Sequence, residues 1–491
     1  MGLLLWIIPI AAIAALLLPG SRRLKHAISI AASALAAAVG VLATIAVIRD
    51  GSLQYVFPAG LFYIDAVSII SLDIVLLIGL LTSIYTVGYV ENEITQDTMK
   101  PAQVRMLYAL IQAFILTMIL TLTVRNIGVM WIAIEATTLA SVFLVGFHNN
   151  KSSVEAAWKY IIICSVGITL AMMGVIFINS AAVGALGEAD SLDWTVLYRH
   201  AAELDGPLLR FAFIFILIGF GTKAGLAPMH TWLPDTYGQA PSPMPLLSGV
   251  LLNAGMYAII RTVAIVNKNL GESTFTGTLL IVTGILSILA AALFILTQKN
   301  YKRLLAYSSI EHMGLIAIAV GLFSPASIFA AFFHTISHSL TKSMLFLTAG
   351  SIQQKYGTRN IGKIRGLIKT LPVTGTVFLI GLIAIGGTPP FGVFASEFSV
   401  LAALFAAGRP VLGAIIALLM SLVFVGIIYA VFRIFFVGQA SDVPAPTPGE
   451  NNKAGTAAAA LLLIGVILIG FLMPDWLRDL LNSAQRIVTG G

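Results

Sequence analysis

Glu135 stands in Trp131-Ile-Ala-Ile-Glu135, within an apolar run over 126–147. An ionised group at mid-membrane is costly unless paired or hydrated, so it marks an ion pathway by default. Lys223 lies in a second run, 208–227, five residues before Pro228. A desolvated lysine gives up its proton readily and an arginine does not, so lysine suits a group that loads and unloads protons. The plainer reading makes these two a salt bridge holding helices together. His334, His338 and Lys342 recur every four residues in the run 325–352 and share one helix face. Glu311-His312 in the run 302–322 adds a carboxylate and a group that titrates near neutral pH. Three polar groups on one stripe point to a water-filled relay. His334-x3-His338 also has zinc-ligand spacing, but a lysine on that stripe and no clear third ligand weigh against metal.

The elements that carry these residues are interrupted. Pro228 removes a backbone donor and should break its helix, and Pro234, Pro241, Pro243 and Pro245 follow. Gly386-Gly387-Thr388-Pro389-Pro390-Phe391-Gly392 cannot run as a continuous helix either, and Glu397 follows it. Interrupted spans in corresponding positions of two halves are the sequence pointer to an ion site in transporters built of inverted repeats. Here they fall in the seventh and twelfth runs; an odd offset makes the repeat inverted. Ile-Glu135 and Ile-Glu311 echo the same offset. Among the remaining charges, Asp73 is left open between a structural role and a place on the path. Asp65 reads as solvated or capping, and Arg261 and Arg433 as packing or interface residues. Lys159 lies near a span end, where snorkelling is the cheaper explanation, although it could feed the relay.

Of the 491 residues, 58% are hydrophobic and 10% charged, and the mean hydropathy is +0.98. A soluble domain carries about 25% charged residues, so such a chain covers its surface with lipid. The net charge of +7 is too small in so apolar a chain to suggest nucleic-acid binding. Cys164 is the one cysteine, which excludes an intrachain disulfide and a Cys-ligated cluster, so any electrons travel elsewhere. Apolar stretches of about 20 residues number about fourteen, which makes this an all-α polytopic membrane protein. The first, Leu3 to Pro19, has its basic residues after it, unlike a signal peptide, and reads as a retained helix. Odd-numbered connections hold about 15 basic residues and even ones with the C-terminus about 8, which puts odd connections in the cytoplasm and both termini outside. Residues 441–455, with Pro444, Pro446, Pro448 and Gly449, read as a flexible surface connection.

With these residues in place, the chain resembles the antiporter-like membrane subunits shared by respiratory complex I, Mrp-type cation/proton antiporters and group 4 membrane-bound nickel–iron hydrogenases. The most specific match is Lys223-Ala-Gly-Leu-Ala-Pro228-Met-His230-Thr-Trp232-Leu-Pro234-Asp235, continuing into Ala240-Pro-Ser-Pro243. Lys302-Arg303-Leu-Leu-Ala306-Tyr307-Ser308, the His334/His338/Lys342 stripe and Gly387-x4-Gly392-x4-Glu397-Phe398 follow in the family's order. Glu135-Ala-Thr-Thr-Leu-Ala, Glu155-Ala-Ala-Trp158-Lys159-Tyr160 and Thr388-Pro-Pro-Phe391 look most like the hydrogenase-4 component F type. The resemblance implies three N-terminal helices (1–103), inverted five-helix repeats of spans 4–8 (104–266) and 9–13 (267–437), and a final loop and helix (438–491). It also implies a polar mid-membrane axis in which Glu135, Lys223 and Glu397 match family positions. Two departures matter: Asn253 stands where many members have lysine or histidine, and Tyr237 where many have histidine. Asparagine can bind water but holds no transferable charge, so the link to the second half must use water, or His312 and His338. Little follows span fourteen, so the long lateral helix of the largest complex I antiporter-like subunit is not expected.

The expected function is proton translocation within a redox-driven complex, with no cofactor or metal in this chain. Peripheral redox subunits, including a nickel–iron hydrogenase and iron–sulfur subunits, are the expected partners. Protons would pass from Lys223, whose affinity an ionised Glu135 raises, along the 325–352 stripe to Glu397. At an effective dielectric of ~20, charges ~4 Å apart interact by roughly 4 kcal/mol, enough to load and unload a lysine. A Na⁺/H⁺ antiporter subunit of Mrp type and a non-transporting scaffold are the alternatives.

Overall fold

The computed structural model describes residues 2–55, 60–241, 243, 245–436 and 446–490. Pro444 and the rest of 437–445 lie outside the described residues. In chain order the principal helices are α1 (Leu4–Leu17), α2 (Arg22–Asp50), α3 (Ala66–Thr95), α4 (Pro101–Thr123), α5 (Ile127–Val145) and α6 (Lys151–Leu186). Then come α7 (Gly206–Ala224), α8 (Trp232–Gln239), α9 (Leu252–Leu270), α10 (Thr274–Ile295), α11 (Tyr301–Leu322) and α12 (Pro325–Tyr356). The chain closes with α13 (Pro372–Ile385), α14 (Gly392–Ala406), α15 (Pro410–Phe435), α16 (Lys453–Phe471) and α17 (Asp475–Thr489). A small hairpin, β1 (Ser52–Tyr55) against β2 (Phe62–Asp65), adds to the all-helical expectation.

Among the described residues, eleven helical segments are long and apolar enough to cross a membrane. Leu4–Leu17, Pro372–Ile385 and Gly392–Ala406 are shorter apolar helices. The 32-residue α12 is not among the eleven, because its three polar groups and many hydroxyls dilute its hydropathy. Its interior is charged while the outside of the bundle is greasy. Lys223, His334, His338 and Lys342 are 0% exposed, whereas Phe143, Leu293 and Leu418 are 59%, 62% and 63% exposed. Water would not tolerate so large an apolar surface; acyl chains do. This is a polytopic membrane protein.

Polar caps start the helices. Asp65, Asn126 and Asn300 accept from the amides of Ser68, Val129 and Lys302. Ser324 and Ser327 cap each other reciprocally ahead of α12, with Pro325 at its first position.

Both expected breaks exist, each with its freed backbone groups re-satisfied. The first comes earlier than Pro228: α7 ends at Ala224, because Gly225 turns left-handed (φ 72). Trp232 Nε1 then donates to Thr222 O at 2.9 Å, and Ser287 Oγ accepts from the Ala227 amide. At the second, Thr388 Oγ1 donates to Ile383 O at 2.9 Å. Gly387 is required there: its φ is +72, and a Cβ would overlap Glu397 Oε2. The Ala227-Pro228 and Pro389-Pro390 peptides are cis.

Asp65 corrects the solvated reading. It is 1% exposed, and besides capping α3 it takes both arms of the Arg261 guanidinium at 2.7 and 2.6 Å. The guanidinium carbon sits 4.2 Å from the centre of a Trp194 ring. This buried fork ties the start of α3 to α9, which agrees with a packing role for Arg261.

Candidate functional site

Glu135 and Lys223 meet through a third residue. Lys223 Nζ donates to Thr138 Oγ1 at 2.5 Å, and Thr138 donates to Glu135 Oε2 at 3.0 Å. One hydroxyl thus accepts from the ammonium and gives its proton to the carboxylate, in place of the direct ion pair expected. Thr138 is one turn after Glu135 on α5, so both face α7 together. Lys223 also reaches Tyr160 OH at 3.4 Å, and Tyr160 bonds Ser141 Oγ at 2.8 Å. Lys223 is sealed in, but Glu135 is only half-buried, between Ile132 and Leu139, which are 58% and 51% exposed. One end of this cluster therefore opens on the flank of the bundle.

Asn253 joins α9 to α12 by a direct contact rather than through water alone. Its Nδ2 donates to Ser339 Oγ of α12 at 2.7 Å and to Gly249 O at 3.0 Å. Its Oδ1 is buried with no hydrogen-bond partner among the described residues. Leu247–Leu251, just before α9, is a π-helical turn, a widening often found at functional sites.

The second cluster draws six expected residues together. Lys342 Nζ donates to Leu305 O at 2.6 Å and to Ser308 Oγ, and it interacts electrostatically with Glu311. The His338 ring lies 5.1 Å from that of His312, both centre to centre. His312 Nδ1 is 3.1 Å from His334 Nε2 and 3.5 Å from Glu397 Oε1. His334 Nδ1 is 2.9 Å from Ser396 Oγ. Ser396 gives its own proton to Gly392 O, so it accepts from His334 Nδ1–H. His334 then keeps a lone pair on Nε2, toward which His312 Nδ1–H points. A cavity of about 380 Å³ beside the second break has Glu397 as its one ionisable lining residue.

Two candidates stand apart. Lys159 faces outward, 48% exposed in its side chain, bound to Glu155 at 2.7 Å and Asp235 at 3.2 Å. Asp235 also binds Arg303, so Lys159 belongs to a peripheral ion network. Asp73 takes the Thr44 hydroxyl at 2.8 Å and lines a separate apolar cavity with Ile336 and Leu340. Those two residues lie across α12 from the histidines, which takes Asp73 off the stripe.

Sequence reasoning missed Thr138, Tyr160 and Ser396. Tyr160 had a signal: Ala156, Tyr160, Cys164 and Ala171 form the buried stripe of α6, while Lys159 is one position off it. Lys302 was also passed over; it is 2% exposed and donates to Ala240 O at 3.3 Å. Arg359 holds the same end of the molecule together by donating to Gly238 O at 2.6 Å. Nearby, in the connection between α5 and α6, His148 lies 3.5 Å from Tyr89 OH, and burial holds its ring below the ordinary histidine value.

Residues 124–424 match the transmembrane family described as NADH:quinone oxidoreductase/Mrp antiporter. The chain is 41% identical over 373 residues to the hydrogenase-4 component F homolog of Methylacidiphilum infernorum, covering 75% of this chain and 78% of that protein. Its fold is similar to a chain of the Mrp complex from Dietzia sp. DQ12-45-1b, with TM-score 0.86, 20% identity and coverage of 99% and 97%. It is also similar to a chain of respiratory complex I from Thermus thermophilus, with TM-score 0.74, 25% identity and coverage of 96% and 98%. The relatives are parts of multi-subunit membrane assemblies. With its charged axis and its two broken helices, the chain belongs to the antiporter-like membrane-subunit family of NADH:quinone oxidoreductases and Mrp antiporters.

Proposed function

We propose that this chain carries protons across the cell membrane as one subunit of a redox-driven complex of the hydrogenase-4 or complex I-like kind. The observation that supports it best is the row of titratable and hydroxyl side chains that runs from the half-buried Glu135 through the enclosed Lys223, Asn253 and Lys342 to Glu397. Buried ionisable groups of this density have a cost that a mere scaffold has no reason to bear.

In this reading, odd-numbered connections face the cytoplasm and both termini lie outside. The transmembrane helices number fourteen, in two inverted repeats over 104–266 and 267–437. Protons enter at the cytoplasmic side and load Lys223. When Glu135 is ionised, the Thr138 hydroxyl is polarised toward it and holds the Lys223 ammonium. When a neighbouring subunit perturbs the half-buried Glu135, that hold weakens and the proton is released toward α12. Asn253 and Ser339 carry the contact across, with water completing it at the unpartnered His338 nitrogens. Lys342, Glu311, His312 and His334 pass the proton to Glu397, and the cavity beside the second break is the way out. Peripheral redox subunits, a nickel–iron hydrogenase with iron–sulfur subunits among them, supply the driving force.

The test is Lys223→Met in the assembled complex reconstituted in vesicles. Redox turnover should continue while proton translocation by this subunit is lost; pumping at full stoichiometry rejects the relay. The likeness to an Mrp chain keeps a Na⁺/H⁺ antiporter reading in play. Sodium-dependent proton movement in vesicles without an electron donor would favour that reading.

A further inference from the structure

We infer that His312, His334 and Glu397 form a binding site for a divalent transition-metal ion, of which Zn²⁺ is the best fit. Each of the three can offer one ligand atom, and these atoms all lie within 4.8 Å of one another in fully buried surroundings. A tetrahedral zinc ion with bonds of about 2.0–2.1 Å needs ligand atoms about 3.3–3.4 Å apart. The two edges at His312 Nδ1 are 3.1 Å to His334 Nε2 and 3.5 Å to Glu397 Oε1. The third edge, His334 to Glu397, is no longer than 4.8 Å.

The surroundings fit metal ligation as well as the three atoms do. A metal-bound histidine usually donates its other ring N–H to an oxygen that fixes the tautomer. His334 already does so, through Nδ1–H to Ser396. His312 would need one shift, its proton moving from Nδ1 to Nε2; that nitrogen has no hydrogen-bond partner among the described residues, and Glu311 Oε2, at 3.9 Å, would have to close in to accept from it. No proton is gained or lost by that ring. Glu397 and Glu311, both ionised, would balance the two positive charges of the ion. The cavity beside the second break reaches the Glu397 carboxylate, by which an ion would enter. Two imidazoles and one carboxylate suit a borderline transition metal, whereas Na⁺ prefers oxygen alone. The pair that converges is thus His312 with His334, not the His334-x3-His338 spacing, and Glu397 is the third ligand that the sequence reading lacked.

The ion would occupy the place where His312 hands its proton on, so its effect on transport rests on the proposed function, whereas its binding does not. The test is Co²⁺ titration of the chelator-treated full-length chain in detergent, read by the visible d–d band of low-coordinate Co²⁺ and by its displacement with Zn²⁺. One equivalent should bind. His334→Gln and Glu397→Gln should each weaken binding by more than the roughly 10–100-fold that loss of an orienting partner costs. Ser396→Ala, which leaves all three ligands, should weaken it by roughly 10–100-fold and guards against misfolding of the ligand variants. No d–d band, or affinity unchanged in Ser396→Ala and the ligand variants, overturns the site and leaves the proton reading untouched. Binding as expected, with Zn²⁺ failing to slow proton movement in vesicles, upholds the site and counts against the relay.

Discussion

Around Lys223 the charged groups are joined by hydroxyls, whereas around His312 they are joined by imidazole rings and a carboxylate. Thr138 and Tyr160 mediate the first cluster, and its glutamate lies at the flank of the bundle. The second cluster has two carboxylates and three histidines in mutual reach, all buried. A hydroxyl bridge transmits the state of its acid without committing the proton to either side. An imidazole chain accepts a proton on one nitrogen and releases another from the opposite one. The first arrangement suits a gate that an outside contact can bias, and the second suits a conduit. Both are mounted beside a broken helix, as ion sites in transporters are.

The sharpest way to break this contrast is to neutralise the two glutamates separately. Glu397→Gln removes the one ionisable group that, among the described residues, lines the cavity beside the second break. With that cavity as the proposed outlet, proton translocation should fall to background while the complex still assembles. Glu135→Gln removes the bias but leaves Lys223, Thr138 and Tyr160 in place, so it should slow translocation without ending it. Vesicle acidification measured per redox turnover distinguishes them. Equal effects would make the two clusters alike in role.

The hydroxyl bridge itself is tested by Thr138→Val against Thr138→Ser. Valine keeps the shape and loses the bridge; serine keeps both oxygen and proton. A hydrogen bond to a charged group is worth roughly 1.5–3 kcal/mol, so valine should slow proton transfer by about tenfold or more and serine by little. Equal rates in all three would mean that Glu135 acts on Lys223 through space alone.

What could be read in advance follows from what is rare in a membrane helix. Lys223, Glu397 and the His334/His338/Lys342 stripe stand out because charge and imidazole are costly there, and both breaks are announced by glycine and proline. Thr138, Ser396 and Ser339 do not stand out, because hydroxyls are cheap in apolar helices, where they bond the preceding turn. Only tertiary contact selects them: Lys223 reaching Thr138, Asn253 of α9 reaching Ser339, and α12 packing on α14 for Ser396. The Asp65–Arg261 fork joins residues far apart in the chain, and nothing local announces it. The three proposed metal ligands lie on three helices, while the spacing of His334 and His338 draws attention along one. Tyr160 was legible from helical phase, and Lys159 drew the eye by its charge.

The smallest effect concerns the end of the bundle where the connection after α5 meets α11. His148, in the connection after α5, is held below its ordinary value of 6.5 first by burial, against the pull of Glu93 and with the help of Lys302 and Arg359. Lys302 lies on α11 and Arg359 just after α12, so this ring reports on contact between those elements and the connection after α5. Below pH 6.5 the unfolded chain takes up a proton on His148 that the folded chain refuses. The stability present above that pH is therefore lost as the pH falls through the folded value, by at most about 1.4 kcal/mol per pH unit. Melting temperatures of the detergent-solubilised chain, taken from neutral pH downward, should show wild type losing stability faster than His148→Gln. Parallel curves would mean that His148 is open to water and that α11 and the segment after α12 do not close over it.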